Sequence, residues 1–120
     1  MTNVTKKTKV IVLDDEPEMS DSIAAVLKQD GYEALAPATV QEAIVLLEKQ
    51  DCDILITDIF MNNTSGYEVI DVAKRRGVKQ IIAISGQSVE WESKARGADH
   101  FIRKPLGQKK LARVMLKAGF

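Results

Sequence analysis

Two hydrophobic rhythms alternate along the chain. Near-continuous apolar runs at Val10–Leu13, Ile54–Thr57 and Gln80–Ile84, rich in β-branched residues, predict strands buried on both faces, as in a parallel sheet. Tyr32–Ala36 and His100–Ile102 are weaker strand candidates. Between them the apolar positions recur at helical spacing. Met19, Ile23, Val26 and Leu27 share one face, and Val40, Ala43, Ile44 and Leu47 share another. Ile70 and Ala73 predict a third helix, and Leu111, Val114, Met115 and Ala118 a fifth. The fourth, over 88–96, has a thin apolar stripe with Trp91 as its one large residue. A thin stripe marks either a loosely held helix or one that meets a partner.

Turn and cap residues agree with this division. Pro17 is suited to open the first helix and Gly31 to close it, Thr39 with Glu42 resembles a capping box, and Gly77 and Gly97 fall where the third and fourth helices should end. The expectation is a doubly wound (βα)5 domain of the α/β class, with five parallel strands in the flavodoxin-like order 2-1-3-4-5 and helices on both faces. It should occupy residues 9–118, after a flexible polar tail over 1–8.

With 120 residues the chain has room for one core. Seventeen basic and seventeen acidic residues cancel, which removes the general electrostatic case for direct nucleic-acid binding. No apolar run is long enough to span a membrane, and the first nine residues lack the apolar segment of a secretory signal. The one cysteine, Cys52, has no internal partner for a disulfide and reads as a packing residue, so a cytoplasmic location is expected.

Candidate chemistry collects at the strand ends. An open α/β sheet binds ligands beside the carboxyl ends of its strands, near the switch in strand order. Strand one runs into Asp14-Asp15-Glu16, strand three into Asp58, strand four into Ser85-Gly86 and strand five into Lys104-Pro105. Taken singly, these are ordinary turn, cap and surface residues. Taken together, they place the carboxylates of Asp14, Asp15 and Asp58, a hydroxyl and an ammonium on one rim. Carboxylates so crowded repel one another unless a cation balances them, and carboxylate oxygens, waters and one backbone carbonyl suit Mg²⁺. Lys104 and Ser85 can serve two phosphoryl oxygens, which leaves Asp58 as the nucleophile for an acyl phosphate.

These residues, in this order and spacing, resemble the receiver domain of bacterial two-component response regulators, the CheY-like family, from about Lys9 to Leu116. The matching pieces are Val12-Leu-Asp-Asp-Glu-Pro17, Thr57-Asp-Ile-Phe-Met61 with Gly66, Ser85-Gly86, and Gly97-Ala-Asp99 leading to Phe101-Ile-Arg-Lys-Pro105. The resemblance implies that Asp58 is the phosphoacceptor, served by a sensor histidine kinase or a histidine phosphotransfer protein. It implies Mg²⁺, with Mn²⁺ as a substitute, held by Asp15, Asp58 and the Phe60 backbone carbonyl, and by Asp14 through water. Lys104 would contact the phosphoryl group, and Ser85 and Phe101 would act as switch residues. They would alter a surface made of helix four, strand five and helix five for an unidentified downstream protein, in a monomer or a phosphorylation-linked dimer. The implied role is a signalling switch with self-directed phosphorylation and dephosphorylation chemistry, not an enzyme acting on other substrates.

Departures from the family pattern bear on this reading. Asn62 replaces a usual proline and Ser65 a usual acidic or amide residue, which leaves the loop over 61–66 looser or shaped for a partner. Gly86 replaces a usual alanine. Phe60, bulky and two residues beyond Asp58, should hinder a hydrolytic water; Gln87 stands two beyond Ser85. His100 reads as a plain residue at the edge of strand five, and Trp91 either packs helix four or docks a partner. Two rival readings remain open. A phosphatase of the haloacid dehalogenase type would need a second acid where Phe60 stands, and a degenerate receiver would bind partners without phosphorylation. No further domain follows Phe120 in the chain as given, so the output belongs to a partner or to a longer parent protein.

Overall fold

Each long apolar run becomes a strand, because helices cover both of its faces. The computed structural model describes residues 7–62 and 64–120. Its main sheet contains β1 (Lys9–Leu13), β2 (Glu33–Leu35), β3 (Ile54–Asp58), β4 (Gln80–Ser85) and β5 (His100–Arg103). All neighbours are parallel and the order is β2-β1-β3-β4-β5, the doubly wound arrangement expected. Helices α1 (Pro17–Gln29) and α5 (Gln108–Lys117) lie on one face, and α2 (Val40–Lys49) and α3 (Gly66–Arg75) on the other. Residues 1–6 of the predicted tail lie outside the described residues.

Strand parity divides the core. Val10, Val12, Ile54, Ile56, Ile82 and Ile84 pack with Ile23, Leu27, Leu111 and Met115. Their chain neighbours Ile11, Leu13, Leu55, Ile81 and Ala83 pack with Ala43, Leu47, Ile70 and Ala73. Each such Ile or Leu contributes about 1.5–3 kcal/mol by leaving water, so register is fixed from both sides at once.

The caps hold with one difference. Pro17 is the first residue of α1. The Thr39 hydroxyl accepts from the Glu42 amide at 3.1 Å, but the Glu42 carboxylate accepts from Ala38, not Thr39, at 3.0 Å. The glutamate thus closes the turn one residue further out than in a capping box. The fourth helix, α4 (Glu90–Ala95), is shorter than the 88–96 expected. Val89 offers no side-chain cap, and Ser93 is its one buried residue, so little holds further turns.

The segment after β3 is better tied than the sequence suggests. Phe60–Met61 pairs with Thr64–Ser65 in a short antiparallel ribbon, and Ser65 caps α3 by accepting from the Tyr67 amide at 3.1 Å. Asn62 is an exposed turn residue. The chain then returns so closely that a Cβ on Gly66 would overlap the Asp58 carbonyl oxygen, while the Gly66 amide donates to Ile59 at 2.9 Å. Glycine is required there by close approach of backbone to backbone.

Gly66→Ala should therefore cost more than about 2 kcal/mol in urea unfolding. Gly86→Ala, whose added Cβ meets no atom within 4 Å, should be neutral or slightly stabilising. A Gly66→Ala protein as stable as the parent would remove this account of the turn.

Candidate functional site

Because the five strands run parallel, their carboxyl ends share one rim, and the side chains leaving them meet there. Asp14 follows β1 and is 1% exposed; Asp58 ends β3 and is 4% exposed. Lys104 follows β5, and its backbone amide donates to the Ser85 carbonyl at 2.8 Å, which seats it over β4. Its ammonium lies 3.0 Å from Asp58 Oδ2 and 3.1 Å from Asp14 Oδ2. The hydrogen bond goes to Asp58. Asp14 accepts at Oδ1 from the Glu16 amide at 2.9 Å, but its buried Oδ2 has the ion pair without an aligned donor.

Asp15 and Glu16 are exposed, and one carboxylate oxygen from each lies within 4.8 Å of the others and of Asp14. Glu16 joins this group although the sequence reading assigned it no role as a ligand. The donor set fits a small, hard divalent cation. It offers carboxylate oxygens at short range, an unsatisfied buried oxygen on Asp14, and more negative charge than one ammonium balances.

Burial raises the Asp58 carboxyl to about 6; Lys104 opposes the shift, and the charges of Asp14 and Asp15 add to it. For Lys104, burial disfavours the ammonium, but the hydrogen bond to Asp58 and the charges of Asp58 and Asp14 outweigh it and its pKa is raised. Lys104 therefore stays charged.

The remaining predicted residues are placed as follows. The Ser85 side chain is buried on the rim, yet its Oγ accepts from the Gln87 amide at 3.0 Å and so belongs to its own loop. Phe101 is partly buried against the face covered by α2 and α3. Phe60 is 47% exposed, two residues beyond Asp58. Trp91, at 79% exposed, packs little, which resolves the choice between packing and surface in favour of surface. His100 Nε2 sits 3.0 Å from Gln80 Oε1, away from the rim. Burial pushes the Cys52 thiol up to about 11, in keeping with a packing residue. Sequence reasoning missed Arg103, whose guanidinium donates to the Gly86 carbonyl at 2.8 Å and to Ser88 Oγ at 2.6 Å. No local pattern signals a contact across so many residues.

A doubly wound sheet with an acidic pocket around one ammonium at its switch point defines the class of domain. The model of the response regulator receiver domain matches residues 10–115. The regulatory protein VanR of Enterococcus faecium is 31% identical over 100 residues, covering 81% of this chain and 43% of VanR. The chain spans about half the length of the curated relatives it matches, 52% in the case of RegX3 of Mycolicibacterium smegmatis. Among solved structures, chemotaxis protein CheY4 of Vibrio cholerae superposes with a TM-score of 0.86 at 24% identity, covering 94% of this chain and 99% of that one, which speaks to fold alone. The response regulator TrrA of Thermotoga maritima, in complex with Mg(2+)-BeF, gives 0.81 at 25% identity, covering 92% and 98%. The chain belongs to the response regulator receiver domain family of two-component signalling systems. Among the described residues, no helix is long and apolar enough to cross a membrane.

The raised Asp58 carboxyl has a consequence for stability. With a value of about 6 when folded against 3.8 ordinarily, it binds its proton more tightly in the folded state. Its contribution favours folding below about pH 4 and is lost as the pH rises through about 6. In metal-free buffer near pH 7, Asp58→Asn should stabilise the fold by on the order of 1–2 kcal/mol in urea unfolding. Most of that gain should vanish near pH 4. A variant no more stable than the parent at either pH would contradict the buried-charge account.

Proposed function

We propose that Asp58 accepts a phosphoryl group from a phosphohistidine on a sensor kinase or histidine phosphotransfer protein, and that the modification changes the surface of α4, β5 and α5 for a downstream protein. The observation that carries this reading is the Lys104 ammonium held between two buried carboxylates, 3.0 Å from Asp58 and 3.1 Å from Asp14. A charged lysine at that place is set to follow negative charge as it moves from the Asp58 oxygen to phosphoryl oxygens.

In the transfer, an Asp58 carboxylate oxygen attacks phosphorus, the O–P bond forms and the donor's N–P bond breaks. The imidazole nitrogen leaves with the electron pair and takes up a proton. Asp58 no longer carries its own charge afterwards, so its hydrogen bond from Lys104 is free to pass to the new group. Ser85 then exchanges the Gln87 amide for a phosphoryl oxygen, and Phe101 moves inward to fill the space behind the shifted loop. Asp15, Asp58 and the Phe60 carbonyl would hold Mg²⁺, or Mn²⁺ in its place, with Asp14 assisting through water. The chemistry it would supply there is neutralisation of the negative charge gathered at these residues. The complex of TrrA with Mg(2+)-BeF supports this choice of ion and phosphoryl chemistry.

Phe60 lies half exposed two residues beyond Asp58. Its apolar ring neither polarises a water nor offers it a hydrogen bond, so the acyl phosphate should be long-lived.

Incubation with Mg²⁺ and acetyl phosphate should add the mass of one phosphoryl group, and the gain should be lost in Asp58→Asn or in excess EDTA. No mass gain, together with no uptake of beryllofluoride, would favour a module that binds partners without phosphorylation. Phe60→Asn should shorten the lifetime of the phosphorylated protein several-fold; an unchanged rate of dephosphorylation would remove the shielding role of the ring.

A further inference from the structure

The loop over 86–89, between β4 and α4, is held from two sides at once. From within, the Gln87 amide donates to Ser85 Oγ at 3.0 Å. From outside, Arg103 of β5 donates through Nε to the Gly86 carbonyl at 2.8 Å and through Nη1 to Ser88 Oγ at 2.6 Å. The two acceptors flank Gln87, the residue that must release the Ser85 hydroxyl before that hydroxyl can turn to Asp58. We infer that Arg103 is a latch that holds this loop in its resting form and so sets how readily Asp58 takes a phosphoryl group. The inference rests on Asp58 being the phosphoacceptor.

The position of Arg103 suits the task. It immediately precedes Lys104, so one strand end carries both the ammonium that senses the acceptor and the guanidinium that restrains the hydroxyl. Planar guanidinium donors reach two acceptors with little further loss of freedom, which a lysine does less well. Gly86 has no side chain to brace the loop, and a Cβ there would meet nothing within 4 Å. The Arg103 bonds from β5 therefore add to the local bonds of Gln87 with Ser85 and Val89.

The latch is also separable from the rest of the site. Lys104 keeps its backbone bond to Ser85 at 2.8 Å whatever stands at 103. Lys110 donates to the backbone carbonyls of Arg103 and Pro105, each at 3.1 Å, and those bonds do not need the Arg103 side chain. Arg103 is exposed, so its removal leaves no buried hole.

The test is binding of beryllofluoride with saturating Mg²⁺, paired with amide exchange at Gln87. Arg103→Met keeps the aliphatic stem and deletes both bonds. Its Kd for beryllofluoride should fall roughly twofold to tenfold, the range for one or two net hydrogen bonds at a surface. Arg103→Lys, which retains one bond, should fall between this variant and the parent. Ser88→Ala should give a smaller decrease, and adding it to Arg103→Met should bring little more. The Gln87 amide should exchange faster in Arg103→Met, while unfolding in urea stays within about 0.5 kcal/mol of the parent. A Kd that is unchanged or higher overturns the latch, as does an unaltered Gln87 exchange rate. If the parent itself takes up no beryllofluoride, the reading of Asp58 fails and the regulatory claim with it; Gln87 exchange still shows whether Arg103 holds the loop.

Discussion

The ammonium of Lys104 is the fixed point of this molecule. It lies between Asp14 and Asp58, two carboxylates that the fold has taken almost wholly out of water. Without it, either acid would be an uncompensated buried charge, costing several kcal/mol or forcing protonation. Its position is not set by the ion pairs alone. The backbone bond from Lys104 to Ser85 sets its height on β4, and the registers from β1 to β5 bring the four strand ends to one level. The core therefore does more than stabilise. By burying both faces of each strand it fixes register, and register fixes the distance between charges of opposite sign.

Around that point the site is unequal in stiffness. On the Asp58 side, Gly66 lies against the backbone of Asp58, the Thr57 hydroxyl donates to the Asp58 carbonyl at 2.9 Å, and Ile59 is buried. On the far side, Ser85 is buried at the end of β4, but residues 86–88 are exposed and tied by hydrogen bonds to Ser85 and Arg103, and α4 beyond them is short and buries only Ser93. With one side of the site rigid and the other holding few buried contacts, a change at the first can be taken up by rearrangement of the second.

Much of this was legible in the residues. Apolar runs without alternation gave the buried strands, and Thr39, Pro17 and the glycines marked helix ends, because both signals act within a few positions of chain. The rim was legible as well, through the rule that chemistry gathers at the carboxyl ends of parallel strands. What escaped notice acts over distance or over very short elements. Two-residue strands at Phe60–Met61 and Thr64–Ser65 are too brief for any period, so a tied ribbon read as a slack loop. The turn of Ser85 towards Gln87, the reach of Arg103 to Gly86 and the lone ion pair at Asp14 Oδ2 depend on side-chain directions in the folded protein. Trp91 had two readings because a short polar helix leaves its large residue undetermined until its neighbours are placed.

The ribbon after β3 carries a consequence for how such domains diversify. Gly66 beside it admits no side chain, but Asn62 and Thr64 are exposed and line, with Asp15, Ala38 and Thr39, a cleft that borders the acidic group. Substitutions at Asn62 and Thr64 alter the outline of that cleft while leaving Asp15 and the charges around Lys104 in place. Two exposed positions are thus free to vary among related domains at little cost to the charged cluster beside them.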